Sequence, residues 1–266
     1  FISSCCVLVS LNCIATGAYA SDNDEVAALV AQNQANFSQC VQDKKVEARN
    51  AGVSQARIDS EFDNFAFVPR VIELDRSQPE FVSTFSSYYS KRVNDWRIQK
   101  GREKYAEHRD FLRSLTAKYG IPGHYLISFW GLETNYGGYK GKMPILDSLA
   151  TLACDERRSN FFSKELFLAL KLMDTQGLTR DAMQGSWAGA MGHTQFMPST
   201  YTNYATDGDG DGKIDLWNSE KDALASGAHF LWKLGWERGL RWGREVKLPS
   251  GFDYQLANKE VKSVSQ

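Results

Sequence analysis

An excess of positive charge is missing from this sequence of 266 residues, in which 31 lysines and arginines are balanced by 32 aspartates and glutamates. The formal net charge of −1 argues against a nucleic-acid partner, because proteins that bind phosphate backbones usually present a basic face. Internal repeats and low-complexity segments are also missing. A hydrophobic content of 42% is typical of a globular protein with one or two sizeable cores.

The sequence also lacks an apolar run long enough to span a membrane, which would need about 20 predominantly apolar residues. Residues 1–20 carry no charge, and their shorter apolar run ends at Ala18-Tyr19-Ala20 before a polar segment. This order is typical of a secretory signal peptide with its cleavage site. No lipoprotein tetrad accompanies the cysteines there. We therefore expect residues 1–20 to be a signal peptide and the protein to be periplasmic; a disordered tail or a buried helix is the alternative.

Cysteine and histidine are scarce. Three of the five cysteines lie in the predicted leader, which leaves Cys40 and Cys154, far apart and without a spacing signature. An oxidising compartment would permit a bridge between them, but we expect two unpaired, partly buried thiols. The four histidines are scattered and form no metal-binding pattern.

Strand-like alternation is scarce too, so the sequence predicts a mainly α fold. Residues 71–81 look extended, and a small β-hairpin is expected near 207–217. A glycine stop followed by a proline start separates two helices at Gly120 and Pro122. Helices are predicted over 24–50, 56–68, 81–118, 122–133, 144–153, 160–174, 199–205 and 219–234.

Glu133 stands at the carboxyl end of one predicted helix. The helix macrodipole places about half a negative charge there, and the neighbours Phe129, Trp130 and Tyr136 are largely apolar. Both effects disfavour the carboxylate and raise its pKa, which suits a general acid near neutral pH. From these residues alone, a capping or surface glutamate remains the simpler interpretation.

Several segments around Glu133 follow one another in the order of a known family. The segment Gly131-Leu132-Glu133-Thr134-Asn135-Tyr136-Gly137 resembles the G-x-E-T-x-[WY]-G motif of lytic murein transglycosylases of the membrane-bound B type. The resemblance covers roughly residues 50–255. The other matching segments are 74–81, Gly141-Lys142, 145–152, Arg157-Arg158, 162–166, 185–192 and 195–199.

The resemblance implies a lysozyme-like fold and a specific reaction. Members cleave the β-1,4 bond between N-acetylmuramic acid and N-acetylglucosamine in peptidoglycan and leave a 1,6-anhydro end. The glutamate at the position of Glu133 protonates the leaving oxygen and then takes the proton of the muramic 6-hydroxyl. This intramolecular attack carries a large entropic advantage. Hydrolysis would need a second carboxylate, and neither Asp147 nor Asp155, the nearest downstream acids, carries a motif that marks it as one.

The resemblance also implies a division of the chain and a substrate groove. We expect an N-terminal helical region over 21–105, the lysozyme-like catalytic domain over 106–248, and the start of a truncated C-terminal region over 249–266. Small residues between Ser186 and Ser199 would let the backbone approach a sugar, although tight internal packing is the alternative. At His193-Thr194 the chain departs from a Tyr-Gly pair in the family. The expected substrate-binding residues are Ser186, Gln195, Arg157, Arg158 and Tyr136, of which the arginines would bind stem-peptide or lactyl carboxylates.

The acidic loop that starts at Asp207 fits the front of an EF-hand-like calcium loop. Asp207, Asp209 and Asp211 occupy positions 1, 3 and 5, and Lys213 offers a backbone carbonyl at position 7. Asn218 replaces the usual glutamate at position 12, so the resemblance implies closure by Asp222, with Glu220 as second choice. We expect a structural Ca²⁺ ion; a charged, glycine-rich surface turn is the alternative.

Three functions therefore stay open on the sequence. The first is a monomeric lytic transglycosylase without organic cofactor, nucleic-acid partner or membrane span. The second is a muramidase-type hydrolase on the same scaffold. The third is a non-catalytic, calcium-stabilised module that binds peptidoglycan.

Overall fold

The computed structural model describes residues 22–77, 84–239, 243 and 245–256, and the predicted leader lies outside them. Within these residues the fold is mainly α, as predicted. No helix there is long and apolar enough to cross a membrane. The helices are α1 (Asp22–Asn50), α2 (Gln55–Glu61), α3 (Pro69–Ser77), α4 (Phe85–Arg92), α5 (Asp95–Glu107), α6 (Arg109–Tyr119), α7 (Gly123–Thr134), α8 (Ile145–Ala153), α9 (Ser159–Gln176), α10 (Pro198–Tyr204) and α11 (Glu220–Lys233).

Most predicted helices lie within two residues of their observed bounds, and three predictions about the N-terminal part were wrong. The helix expected over 56–68 ends at Glu61, and a short 3-10 turn (Phe62–Asn64) and the non-helical residues 65–68 follow it. The expected helix over 81–118 is divided into α4, α5 and α6 in its described part. Asn94 starts α5, because its extended backbone lets the side chain accept a hydrogen bond from the Arg97 amide. Residues 71–77 of the segment expected to be extended belong to α3, and the rest of that segment lies outside the described residues. Pro69 occupies the first position of this helix, where a missing N–H costs nothing.

The larger core is built around α8, all nine residues of which are buried. Its apolar side chains pack against α3 and α9, and the same core includes side chains of α1 and α10. Two of its polar side chains accept backbone hydrogen bonds: Asp147 from Ala66 at 2.9 Å and Thr151 from Val68 at 3.0 Å. The N-terminal region therefore shares this core with the predicted catalytic domain, and the boundary at residue 105 stays a prediction.

A smaller core holds α7 between α5, α6 and α11. It contains Leu112, Leu126, Trp130 and Leu224. Gly120 ends α6 with a left-handed backbone (φ 77°), as a helix stop requires. This core fixes the helix that carries Glu133.

Cys40 and Cys154 form a disulfide, so the expectation of two free thiols was wrong. The bridge joins α1 to the residue that caps α8. Sequence spacing could not show this pairing, because the two cysteines meet only when α1 packs on the α8–α9 core.

The small hairpin was predicted at the wrong place. Residues 207–217 form turns, whereas the two-stranded antiparallel sheet pairs β1 (Met143–Pro144) with β2 (Gln184–Gly185). In its register Met143 lies opposite Gly185. The sheet joins the segment that follows α7 to the segment that contains Ser186.

Candidate active site

Glu133 lies in the last turn of α7, on the side of the helix that faces away from the smaller core. Trp130, Gly131 and Thr134 are buried, whereas Leu132 and Glu133 are exposed. Among the residues that the structure describes, no group hydrogen-bonds or ion-pairs with the Glu133 carboxyl. The side chain is therefore available to a ligand.

The surroundings of Glu133 favour its protonated form. Desolvation by the neighbouring protein raises the pKa of Glu133, and the positive charge of Arg92 opposes this shift in part. A carboxyl group with a raised pKa holds its proton closer to neutral pH, as a general acid must.

The chain turns sharply after α7. Asn135 and Tyr136 are both left-handed (φ 51° and 58°). Thr134 donates from Oγ1 to the His193 carbonyl at 2.9 Å and accepts from the Gly137 amide at 3.1 Å. Tyr136 is buried, and its hydroxyl donates to the Arg97 carbonyl at 2.8 Å. Tyr136 therefore packs inside the protein, and its role in substrate binding stays a prediction.

Ser186 opens a tight turn in the segment that follows β2. Its Oγ accepts from the Ala190 amide at 2.9 Å, and its own amide donates to the Ala190 carbonyl at 2.9 Å. Gly189 faces inward, since a Cβ there would lie 2.6 Å from Leu149 Cδ2. Internal packing therefore accounts for this glycine.

Gln195 connects this segment to the loop after α7. Its amide nitrogen donates to the Lys140 carbonyl at 3.1 Å and to the Gly192 carbonyl at 2.9 Å, and its backbone is left-handed (φ 50°). The amide nitrogen is thus used internally, while no described group donates to Oε1. Gln195 can offer that oxygen to a substrate hydroxyl or amide.

His193 is a residue that sequence reasoning missed. Its ring is buried beneath α7, and Nδ1 accepts a hydrogen bond from the Trp130 indole at 2.9 Å. Burial, with a smaller contribution from the Lys140 charge, lowers the pKa of His193 to about 4. The imidazole is therefore neutral at neutral pH. The departure from the family's Tyr-Gly pair was the one available signal.

Arg157 and Arg158 surround a buried carboxylate. Arg157 Nη1 lies 2.8 Å from Asp75 Oδ2, and Arg158 also pairs with Asp75, which is 1% exposed. The two guanidinium groups hold the pKa of Asp75 below its ordinary value, although burial opposes them as the largest single effect. The pair therefore ties α3 to the segment before α9, and its role toward substrate stays a prediction.

The two acids considered as second carboxylates are also engaged elsewhere. Asp155 Oδ1 pairs with Arg76 at 2.7 Å, and Asp147 pairs with Arg180. Both aspartates are buried in the larger core region. Neither is presented to solvent in the way that Glu133 is.

The acidic loop brings its first three aspartates together. One carboxylate oxygen each from Asp207, Asp209 and Asp211 lies within 4.8 Å of the others. Backbone amides, led by that of Gly212, lower the pKa of Asp207 and keep it ionised. Hard oxygen donors at this spacing fit a divalent cation such as Ca²⁺.

Asp222 lies apart from that group, in the first turn of α11. Its two oxygens accept from the Gly208 amide and the Asp215 amide, both at 2.7 Å. Each carboxylate oxygen has two lone pairs, so acceptor capacity is left. The second choice, Glu220, is instead paired with Lys104 at 2.9 Å and His108 at 2.6 Å.

The mainly helical fold, with a solvent-accessible glutamate at the end of a packed helix, is of the lysozyme-like class, as its match to solved lytic transglycosylases shows. Residues 36–266 match the family described as Transglycosylase SLT domain, and the chain belongs to that family. The resemblance inferred from the sequence is thereby confirmed.

The chain is also similar to three individual proteins, one compared by sequence and two by structure. Membrane-bound lytic murein transglycosylase B of Escherichia coli K12 is 37% identical over 171 residues, which are 62% of this chain and 47% of that protein. SltB3 from Pseudomonas aeruginosa, solved with NAG-NAM-pentapeptide, superposes with a TM-score of 0.77 at 41% identity, over 83% of this chain and 59% of that one. Escherichia coli Slt35, solved with calcium, gives a TM-score of 0.69 at 31% identity, over 82% and 73%.

This chain therefore spans about half the length of the curated Escherichia coli relative and about three fifths of SltB3.

Proposed function

We propose that this chain carries the catalytic machinery of a periplasmic lytic transglycosylase. It cleaves the β-1,4 bond between N-acetylmuramic acid and N-acetylglucosamine in peptidoglycan and leaves a 1,6-anhydromuramic end. The observation that carries the proposal is Glu133: a solvent-facing carboxyl with a raised pKa at the end of a rigidly packed helix. The peptidoglycan fragment bound to SltB3 supports this class of substrate.

Glu133 has two successive roles in this reaction. As an acid it gives its proton to the glycosidic oxygen, so that the leaving sugar departs as an alcohol. As a carboxylate it then accepts the proton of the muramic 6-hydroxyl while that oxygen bonds to C1. One carboxyl suffices because the nucleophile belongs to the substrate. Ser186 and the free Oε1 of Gln195 are our candidates for groove contacts.

The test is mass spectrometry of the soluble products released from purified peptidoglycan. The parent chain should release muropeptides that are one water lighter than reducing-end products, and Glu133→Gln should release none while keeping its fold. Glu103→Gln, at an exposed position on α5, is the matched control and should behave like the parent. Reducing ends would indicate a hydrolase; binding without any release, also in the parent, would indicate a binding module. An active Glu133→Gln variant would refute the mechanism.

We propose further that Asp207, Asp209, Asp211 and the Lys213 carbonyl bind Ca²⁺, with Asp222 closing the loop. The proximity of three carboxylates supports this, because without a cation they repel one another. The calcium bound to Slt35 is a second support. The ion would order the loop against α11 and supply no acid chemistry.

Thermal unfolding tests the calcium site. Calcium at about 100 times its dissociation constant should stabilise the parent by about 2.7 kcal/mol, and EDTA should remove that gain. Asp209→Asn should weaken the response, whereas Asp59→Asn, on the exposed face of α2, should not. A melting temperature that ignores both calcium and EDTA would contradict the assignment.

A further inference from the structure

Two consecutive residues other than glycine are left-handed directly after the helix that bears the acid. Asn135 has φ 51° and Tyr136 has φ 58°. Asparagine tolerates this region fairly well, but a bulky residue such as tyrosine rarely adopts it. Such a backbone conformation is strained and persists only where its surroundings hold it.

Arg97 on α5 contacts both of these residues. Its Nε donates to Asn135 Oδ1 at 3.1 Å, and its Nη2 donates to the same oxygen. Its Nη1 donates to the Arg92 carbonyl, which fixes the guanidinium at the end of α4. Its own carbonyl accepts from the Tyr136 hydroxyl at 2.8 Å. One residue thus binds the first left-handed residue by its side chain and the second by its backbone.

Two glycines make room for the ring of Tyr136. A Cβ on Gly101, one helical turn after Arg97, would lie 2.5 Å from the Tyr136 hydroxyl oxygen. A Cβ on Gly131, on α7, would lie 2.6 Å from Tyr136 Cζ. The ring packs edge-on against Trp130, with 5.7 Å between centroids. The ring is therefore fixed between α5 and α7.

The contacts of Arg97 with Asn135 and Tyr136 hold the turn at which α7 ends. The left-handed Asn135 closes the helix through the bond from its amide to the Gly131 carbonyl, at 3.2 Å. If Asn135 and Tyr136 relaxed to an extended backbone, the chain would leave α7 in another direction, and the bonds that the Gly137 and Tyr139 amides donate to Thr134 in the last turn would be lost. Glu133 lies within that turn.

We infer that Arg97 is a positioning residue, which holds Asn135 and Tyr136 left-handed and thereby sets the position of Glu133. The inference rests on the proposed function, in which Glu133 is the acid. Arg97 touches neither the substrate nor the reacting atoms in this role. It acts through the turn.

Arg97→Lys is the first test, because it keeps the charge but cannot make the three-way contact of a guanidinium. A displacement of about 1 Å costs up to about a hundredfold in rate, so kcat for anhydromuropeptide release should fall about tenfold to a hundredfold, with KM within about twofold. Arg113→Lys, whose side chain is exposed on α6, is the matched control and should leave both constants unchanged. Circular dichroism verifies that each variant is folded.

Asn135→Gly separates positioning from general packing. Glycine adopts positive φ without strain and removes the acceptor that Arg97 uses. In this background Arg97→Lys should lower kcat by less than about threefold, a clear coupling in a double-mutant cycle. Equal losses of kcat in both backgrounds would show that Arg97 acts by packing alone and would overturn the inference.

An NMR titration of the Glu133 carboxyl gives a readout that does not need activity. Arg97→Lys should move the pKa of Glu133 from its raised value toward the ordinary one, because a displaced side chain is better solvated. An unchanged pKa together with an unchanged kcat overturns the inference. If the parent releases no anhydro product, the proposed function fails, and the titration alone decides the role of Arg97.

Discussion

Protonation of the buried His193 should destabilise this protein at acid pH. The ring is 4% exposed, and its Nδ1 accepts the hydrogen bond of the Trp130 indole at 2.9 Å. A proton on Nδ1 would point at that N–H donor and would place a charge in the smaller core. The pKa of His193 is accordingly lowered from 6.5 to about 4, mainly by burial.

The sign and size of the effect follow from linkage. Between pH 6.5 and 4 the unfolded chain binds a proton at this histidine and the folded chain does not, so the free energy of unfolding falls as the pH falls. The shift corresponds to roughly 2–3 kcal/mol lost between pH 7.5 and 4.5. The stabilisation is fully present above pH 6.5. The raised pKa of Glu133 has the opposite sign, and other carboxyls titrate nearby, so a variant must isolate the histidine.

His193→Gln isolates it, because glutamine can accept the Trp130 bond but does not titrate in this range. Guanidinium unfolding, followed by tryptophan fluorescence at pH 7.5 and pH 4.5, gives the two free energies. The parent should lose roughly 2–3 kcal/mol more than His193→Gln between these pH values. His124→Gln, at an exposed position on α7, is the control and should lose as much as the parent. Equal losses in the parent and His193→Gln would refute the argument.

Three further changes test the framework around the site by equilibrium unfolding. Replacing Cys40 and Cys154 by serine should cost about 2–5 kcal/mol, since the bridge closes a long loop; a reductant should have no further effect on that variant. Gly131→Ala should cost about 1–3 kcal/mol, because the new methyl overlaps the ring of Tyr136; an unaffected variant would mean that the ring is free to move. Asp75→Ala should cost about 3–5 kcal/mol, because it leaves the paired guanidinium groups without their carboxylate; a loss below about 1 kcal/mol would contradict a structural role.

Glu133 could be proposed as the acid from the sequence because several local signals coincide there. Apolar periodicity and the Gly120 stop place α7 to within a residue or two, and the motif that begins in its last turn marks Glu133 as the candidate acid. Helix ends and hydrophobic faces depend on neighbours within a few positions, so a single sequence records them. The acidic loop could likewise be predicted from the sequence, because its three carboxylates are spaced two residues apart and the turn brings them together.

Contacts between distant segments could not be predicted from the sequence in this way. The disulfide and the place of the two-stranded sheet both depend on which elements pack together. Arg157 and Arg158 show the difference: an exposed pair and a pair bound to the buried Asp75 look the same in sequence.

The sequence by itself determined the mainly α class, the helix that carries Glu133 and the acidic loop, because short-range periodicity and spacing are written directly in the chain. Only the tertiary structure decided how that glutamate is held. The Arg97 side chain on α5 bonds to Asn135, 38 positions later in the sequence, and His193 bonds to Trp130, 63 positions earlier. Such partners are selected by packing, which minimises buried unsatisfied polar groups over the whole fold, and no local pattern records that choice.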